Sequence, residues 1–537
     1  LYPEKKLATE EMTTSNKQLT ILIFLGIILF FTSLGAPYLW DIDEPNNTEA
    51  TREMIIRGDY VTPYFNGKLR TDKPIMIYWF QAAAIAVFGQ TEFAARFFSA
   101  VFGLLTIGLV FIRGRQLFSP RVGLYAALIL VTSLQFNTAP RFANPDAYLV
   151  FWIAFSLFGL MLFQKTGAQK YLLHFYLGMG LGMLAKGPIA IVLPGGIAFF
   201  SFLAAAEWRT FWRKYRVLAG ALLTLAIGLS WYIWVGIETD GAFLRGFFLE
   251  HNMERFTDTR EGHSGNVLYY ILVAIIGFLP WGFFTFLFWP GKDHLKNNFA
   301  IQTLWLWALT FILFFTVSST KLPNYILPAI PPLAVMLGFR LNLLLEKSAK
   351  LRWHIGNGII LILGFGVLGA ALLALPPQFA GFTFDLIVLS VPLILMGITG
   401  FVFISKQQLR YWFYATAALA AIFLLIISNL IIPQVNHYRT IPIFARTIAA
   451  TEKKPVMAYR YFQPSLVYYT EPGVQRYDKA AIAAENIQTE AWVVTKKKYL
   501  SELRPYAAQL DIVDARKGFY TPDTLVLGRI SFKSNDK

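Results

Sequence analysis

The chain has 537 residues, of which 56% are hydrophobic and 15% charged, against about 25% charged in an ordinary soluble protein. That excludes a string of soluble domains and marks a membrane protein, because apolar runs long enough to cross a bilayer recur from residue 18 to residue 432. The lack of cysteine excludes disulfides, thiolate nucleophiles and Cys-ligated zinc, while the net charge of +16 raises nucleic acid as a partner, to be decided by where the bases sit.

In chain order the apolar runs place spans at 18–36, 93–112, 122–138, 147–164, 171–185, 189–206, 217–236, 267–288, 301–317, 325–345, 354–374, 384–404 and 411–432, about thirteen transmembrane helices. The first lacks a small-residue cleavage pattern and is read as a retained anchor. Alternate connections hold Arg113, Arg115, Arg121; Lys165, Lys170; Arg209, Arg213, Lys214, Arg216; Lys292, Lys296; Lys347, Lys350, Arg352; and Lys406, Arg410. Against these bases stand only Glu207, Asp293 and Glu346. Such one-sided bias nearly accounts for the surplus charge and is the positive-inside signature. Those loops are therefore expected to be cytoplasmic, and no nucleic acid is expected as a partner.

The run at 74–89 would, if it crossed, invert every later segment. It is read instead as an interfacial or re-entrant helix, with Tyr78 and Trp79 at the headgroup boundary. Three regions on the outer side are then large enough to build a site: 37–92, 237–266 and everything after about 436. Past Pro433, "PVMAY", "AWVV", "LDIVD" and "TLVLG" alternate with the helical patterns "YDKAAIAAENIQ" and "KKYLSELRPYAAQL", which reads as an α/β domain. The expected fold class is an all-α polytopic bundle over 1–436, including the first outer loop 37–92 with its interfacial helices, followed by an extracytoplasmic α/β domain over 437–537. No tandem repeat is evident, nor the hydropathy symmetry of a transporter.

Ionisable groups at a membrane boundary are expensive and tend to be functional. In "DEPNNTEATREM" a helix is expected from near Asn46, with Glu49, Glu53 and Asp59 on a solvated face and Asp43 and Glu44 on an extended entry, free to point into a cavity. Lys68, Arg70 and Lys73 head the short interfacial helix, where a cation suits a lipid phosphate or snorkels to ordinary headgroups. "NPD" sets Asp146 at the mouth of a span, five residues after Arg141, either as a helix cap or as the second acid of a two-acid site. Glu250, His251, Glu254, Arg255 and His263 enrich a later loop without standard zinc spacing. Lys321 and Tyr325 stand among prolines at another outer mouth, where interfacial anchoring is the plain reading. Two lookalikes fail. "GLGMLA" at 180–185 lies inside an apolar run and follows no strand, so Gly178 and Gly182 are read as helix-packing positions. "LAKGP" lacks the glycine immediately before lysine that a P-loop needs.

Together "DIDEP", "EATREMIIRGDYVTPYFNG", "DKPIMIYW", "NPDAY", "LGMLAKGP", "EHNMERF" and "TKLPNYILPAIPPL" resemble the GT-C glycosyltransferases related to protein O-mannosyltransferases, in particular the bacterial branch that decorates lipid A with aminoarabinose. The resemblance covers nearly all the membrane portion; the C-terminal region matches only in size, placement and α/β character. It implies transfer of 4-amino-4-deoxy-L-arabinose from undecaprenyl phosphate to a lipid A phosphate at the periplasmic face of the inner membrane. It also implies Asp43, with Glu44 beside it, and Asp146 as catalytic acids, and Lys73, Arg255, Lys321 and Tyr325 around the carrier phosphate. No cofactor is required and no metal is expected, and the enzyme is expected as a monomer in the lipid bilayer. Bottom-up chemistry agrees: a lipid-phosphate donor needs no nucleotide fold, and fixed cations in a dry cleft stabilise the departing phosphate. Asp43 either acts as a base or, since a lipid A phosphate is already an anion, orients the acceptor or binds the sugar's amine. The geometric expectation is that Asp43, Asp146 and Lys73 share one outward-facing pocket. A related transferase acting on protein or another glycan is the runner-up, and a lipid-carrier transporter a more distant rival.

Overall fold

The computed structural model describes residues 2–204, 211–253, 266, 268–288, 292–346, 364–365, 383–451, 454–470 and 473–533. Among them eight helices are long and apolar enough to span a bilayer: Thr14–Phe31, Glu92–Leu117, Asp146–Thr166, Val217–Glu238, Phe299–Val317, Pro323–Glu346, Phe384–Ser405 and Leu409–Tyr438. Pro120–Val131 and Leu134–Arg141, bent by 66°, make a ninth if counted as one span. The chain is a multi-pass membrane protein of the expected class. The other expected spans differ for local reasons. Gln169–Lys186 carries charges at both ends, Ile189–Ala204 has 16 residues, and the run at 267–288 is broken into Tyr269–Gly277 and Trp281–Phe288; the expected span 354–374 lies outside the described residues except for 364–365.

The chain divides into two compact units. The first comprises residues 1–34, 71–77 and 97–431, and the second residues 35–70, 78–96 and 432–537.

In the first unit the elements that matter are α1 (Tyr2–Phe31), α4 (Glu92–Leu117) from Phe97 onward, α5 (Pro120–Val131), α6 (Leu134–Thr138), α7 (Asp146–Thr166), α8 (Gln169–Lys186) and α9 (Ile189–Ala204). Helices in lipid gain little from apolar burial against one another, so close backbone approach decides their packing. That is how α8 meets α7 and α9. A Cβ on Gly178 would lie 2.7 Å from Ser156 Cβ and 2.8 Å from the Trp152 carbonyl oxygen, and one on Gly182 would lie 2.8 Å from Ala190 Cβ. Both glycines therefore serve the packing role read from the sequence. Elsewhere an apolar face is left outward: Leu218, Leu222 and Leu225 are 75%, 61% and 44% exposed at helical spacing, as a lipid-facing stripe requires.

The second unit opens with α2 (Asp43–Arg57), which starts earlier than expected and takes in Asp43 and Glu44 as its first turn. Its three glutamates are not solvated: Glu44, Glu49 and Glu53 are all buried, which corrects the solvated-face reading of the last two. Next, β1 (Tyr64–Phe65) and β2 (Lys68–Leu69) form a hairpin turning on Asn66 and Gly67, both at positive φ, the residue pair that a type I′ turn favours. Asn66 then ties the hairpin to the C-terminal region, donating to the Val474 carbonyl at 2.8 Å and accepting from the Gly473 amide at 3.0 Å. The interfacial run is α3 (Met76–Phe88), whose 13 residues rise only about 20 Å, too short to span. Trp79 is 40% exposed, but Tyr78 is fully buried and accepts from Arg70 Nε at 3.1 Å, so it is no headgroup anchor.

The C-terminal region forms a five-stranded sheet in the order β4 (Gln475–Tyr477), β3 (Val456–Tyr459), β5 (Ala491–Lys496), β7 (Thr524–Phe532), β6 (Ala507–Lys517). β3 is parallel to β4 and β5, while β7 is antiparallel to β5 and β6. One face packs on the helices Thr440–Ala449 and Pro464–Thr470 through Phe444, Ile448, Leu466 and Val467; the other packs on Ala480–Asn486 through Ala480 and Ala483. The helix expected through "KKYLSELRPYAAQL" stops at Leu503, ahead of Pro505, and "AAQL" belongs to β6.

Candidate functional site

Within the membrane unit, chemistry gathers where α7 begins, α8 ends and the segment 316–325 passes. Asp146 is the first residue of α7 and only 3% exposed, a position where the helix N-terminus favours negative charge. Its Oδ1 accepts from Lys186 Nζ and its Oδ2 from Asn324 Nδ2 at 2.6 Å. Lys186 is the last residue of α8. Gly187 follows it at φ +88, where a Cβ would meet Phe247 at 2.8 Å, so "LAKGP" is a helix stop that only glycine fits. The stop delivers a lysine to the mouth of the bundle.

Around this pair stand further donors. The Lys186 ammonium lies 5.6 Å from the Tyr325 ring, itself packed on Phe315. Lys321 is 8% exposed and gives two hydrogen bonds to backbone carbonyls, Thr316 at 2.7 Å and Ser318 at 2.9 Å. The same ammonium lies 5.8 Å from the centroid of the Tyr270 ring. The Tyr270 hydroxyl donates to the Leu322 carbonyl and accepts from the Leu322 amide, each at 3.1 Å, which pins the loop. Arg141 caps α1, donating to the Leu29, Phe30 and Thr32 carbonyls at 2.8–3.1 Å.

Lys73 is 9% exposed and lies in the stretch 71–77 of the same unit. That stretch packs on α7, where Trp152 Nε1 donates to Met76 Sδ at 3.3 Å. Trp152 is six residues, or roughly 9 Å of helix rise, from Asp146. Arg255, Glu254 and His263 lie outside the described residues, as does the side chain of His251. Among the described residues no group of three His, Asp or Glu is placed to hold a metal ion.

The second unit holds the remaining acids. Asp43 is exposed at the start of α2. Glu44, one residue on, is clamped: Arg96 donates to its Oε1 through Nε at 2.8 Å and to its Oε2 through Nη2 at 2.7 Å, and the Trp40 amide adds a bond at 2.7 Å. Both charged side chains are 1% exposed. Asp41 accepts from the Ser465 amide at 2.8 Å and the Ser465 hydroxyl at 2.6 Å, with Arg439 at 3.6 Å. Burial pushes its carboxyl up to about 6, against the pull of Ser465 and Arg439. Glu49, paired to Arg52 at 2.8 Å, is pushed up to about 7 by burial, with Glu53 adding to the rise.

Of the residues singled out in the sequence, Asp146, Lys321 and Tyr325 thus line one mouth, Lys73 lies in a segment packed on the same helix, and Asp43 and Glu44 belong to the other unit. Two members were missed, Lys186 and Asn324. Their signals were a lysine ending an apolar helix before Gly-Pro, and an asparagine between proline and tyrosine. As built, the cluster presents ammonium groups beside a carboxylate already occupied by two donors. It suits holding an anion better than taking a proton from a neutral group.

Comparisons with known proteins point the same way. Residues 72–234 match the family model described as dolichyl-phosphate-mannose-protein mannosyltransferase. An undecaprenyl phosphate-alpha-4-amino-4-deoxy-L-arabinose arabinosyl transferase of Pseudomonas aeruginosa is 31% identical over 67% of this chain. The chain spans 66% of that relative's length. An uncharacterized protein of Aquifex aeolicus is 29% identical over 86% of this chain and 89% of its own. The crystal structure of ArnT from Cupriavidus metallidurans bound to undecaprenyl phosphate superposes with a TM-score of 0.79 at 23% identity, covering 95% of this chain and 97% of that one.

Proposed function

The chain belongs to the GT-C, protein O-mannosyltransferase-like superfamily of polyprenyl-phosphate-sugar-dependent glycosyltransferases, and from that premise we propose that it moves 4-amino-4-deoxy-L-arabinose from undecaprenyl phosphate to a lipid A phosphate. The reaction takes place at the periplasmic face of the inner membrane, where the charge bias of the connecting loops directs the outer segments. The observation that carries this reading is the Asp146–Lys186–Asn324 cluster at the mouth of α7, with Lys321 and Tyr325 beside it.

In the proposed reaction an oxygen of the lipid A phosphate attacks C1 of the sugar from the face opposite the carrier. The C1–O bond to undecaprenyl phosphate breaks with its electron pair going to the departing phosphate, and the anomeric centre inverts. Negative charge grows on that phosphate, and Lys73, Lys321, Tyr325 and Arg255 are assigned to it, where fixed donors in a dry cleft act most strongly. The nucleophile is already an anion, so no base is needed. Asp146 holds Lys186 in place, and Asp43 orients the acceptor or binds the amine of the sugar. Glu44, engaged on both oxygens, is assigned to fixing α2 and thereby Asp43. The product carries an added amine beside the phosphate, and the lower negative charge of such lipid A weakens binding of cationic peptides such as polymyxin.

A reconstituted system with undecaprenyl-phosphate aminoarabinose and lipid A tests the proposal. A product heavier by one aminoarabinose is expected, with Asp43→Asn, Asp146→Asn and Lys73→Ala abolishing turnover in folded protein. Near-normal turnover in all three would remove the site. The mannosyltransferase description of the family model favours one alternative, transfer to a protein or another glycan, and the acceptor found by product mass decides between them.

A further inference from the structure

The end of the membrane unit opposite the Asp146 cluster holds a second group of cations. On α8, Lys170 stands sixteen residues from Lys186, roughly 24 Å of helix rise. Three helices are tied together there. The Lys165 ammonium of α7 donates to the Gln116 and Leu117 carbonyls of α4 at 2.7 and 2.8 Å, and the Ser156 hydroxyl of α7 donates to the Phe175 carbonyl of α8 at 2.8 Å. Gly159 lets α8 approach closely: a Cβ on it would lie 2.7 Å from the Tyr171 carbonyl oxygen and 2.9 Å from His174 Cβ.

Arg113 of α4 is buried in this junction, 8% exposed. Its Nη1 donates to Gln116 Oε1 at 2.8 Å and its Nη2 to His174 Nδ1 at 3.1 Å, while its Nε is buried without a hydrogen-bond partner. A guanidinium has only donors, so His174 is the neutral acceptor. Neutral acceptors leave the charge itself uncompensated, and a buried charge without a counter-ion is expensive. A second cation stands beside it. The Arg113 guanidinium carbon lies 5.3 Å from the centroid of the Tyr171 ring, and the Lys170 ammonium 5.1 Å from the same centroid. Lys170 is exposed, and neither cation pairs with a carboxylate among the described residues. From Tyr171 a row of rings runs into the apolar span of α7: His174 at 5.7 Å, then Phe155 at 4.6 Å from His174, then Phe151 stacked on Phe155 at 5.9 Å. Tyr171, Phe155 and Phe151 are each half-buried, with part of the side chain outward.

We propose that this junction binds an anionic glycerophospholipid of the surrounding bilayer. The phosphate lies against Tyr171, where Lys170 pairs with it and Arg113 gains the counter-charge that the chain does not supply, and one acyl chain follows Phe155 and Phe151. Basic pockets between transmembrane helices take such headgroups. A choline headgroup brings its own positive charge toward two cations, so an anionic lipid is favoured over a zwitterionic one. The site lies at the other end of the bundle from the transfer reaction and does not depend on it.

Native mass spectrometry of the full chain in detergent tests this, with titrations of phosphatidylglycerol, of phosphatidylcholine with the same acyl chains, and of soluble glycerol 3-phosphate. Phosphatidylglycerol is expected to be retained at concentrations where the other two are lost. Lys170→Gln and Arg113→Met are each expected to weaken its binding about fivefold or more. Arg121→Gln removes the same charge at the same end, from a residue 66% exposed at the start of α5, and is expected to keep wild-type affinity. Thermal unfolding gives a second readout: phosphatidylglycerol raises the wild-type midpoint by mass action and raises that of the Lys170 and Arg113 variants less. Where Arg113→Met fails to fold, the exposed Lys170 position decides. Equal retention of the two phospholipids, equal affinity for glycerol 3-phosphate, wild-type affinity in Lys170→Gln, or an equal loss in Arg121→Gln overturns the proposal.

Discussion

Replacing Glu44 separates a structural role from a chemical one. Its carboxylate receives three hydrogen bonds of 2.7–2.8 Å, two from Arg96 and one from the Trp40 amide, and both charged side chains are 1% exposed. In Glu44→Ala the Arg96 guanidinium keeps its bonds to the Pro37 and Tyr38 carbonyls and stays buried without the carboxylate that pairs with it. Breaking a buried pair from one side costs about 3–5 kcal/mol. In a unit of roughly 150–250 residues each kcal/mol lowers the midpoint by about 2–4 °C, so the second unit is expected to melt about 10 °C lower. Glu44→Gln retains one acceptor oxygen and is expected to fall between wild type and Glu44→Ala. Thermal unfolding of the full chain in detergent measures the shift, with transfer assayed well below the lower midpoint. A positioning role predicts that activity declines in step with stability in the two variants. A fully stable Glu44→Gln protein without turnover would refute it and return Glu44 to the chemistry.

Lys186→Met leaves Asp146 with Asn324 as its remaining side-chain donor and removes a cation from the mouth; turnover is expected to fall about 100-fold or more, on the scale of losing one preorganised electrostatic group, with a smaller loss in Lys186→Arg. Gly178→Leu drives a side chain into Ser156 and the Trp152 backbone and is expected to cost about 1–3 kcal/mol or more. Gly195→Leu, where nothing lies within 4 Å, is the matched control in thermal unfolding. Burial raises the Asp41 carboxyl from 3.8 to about 6. A carboxyl whose folded value is raised stabilises fully below its unfolded value and loses that contribution as pH climbs through the folded one. The second unit is therefore expected to lose up to about 3 kcal/mol between pH 4 and pH 7 from this group, with Glu49 acting in the same direction. Asp41→Asn, scanned for its unfolding midpoint from pH 4 to pH 8, is expected to flatten the dependence, and an unchanged slope would exclude Asp41 as its source.

The sequence by itself determined what depends on composition and local order. Apolar length marked the membrane helices, the scarcity of charge ruled out a soluble protein, and Gly178 and Gly182 declared close packing inside an apolar run. Alternating strands and helices marked the terminal sheet, and "NPD" placed Asp146 at a helix mouth. Tertiary structure alone decided which groups meet. Lys186 and Asn324 stand 40 and 178 positions from Asp146, and no local pattern links residues so far apart. The same holds for Glu44 and Arg96, or Asp41 and Ser465: a carboxylate that reads as free beside a membrane is claimed by a partner that only chain folding brings near. The acids of α2 escaped a correct reading for that reason, because burial is a property of what covers a residue, and what covers them arrives from distant parts of the chain.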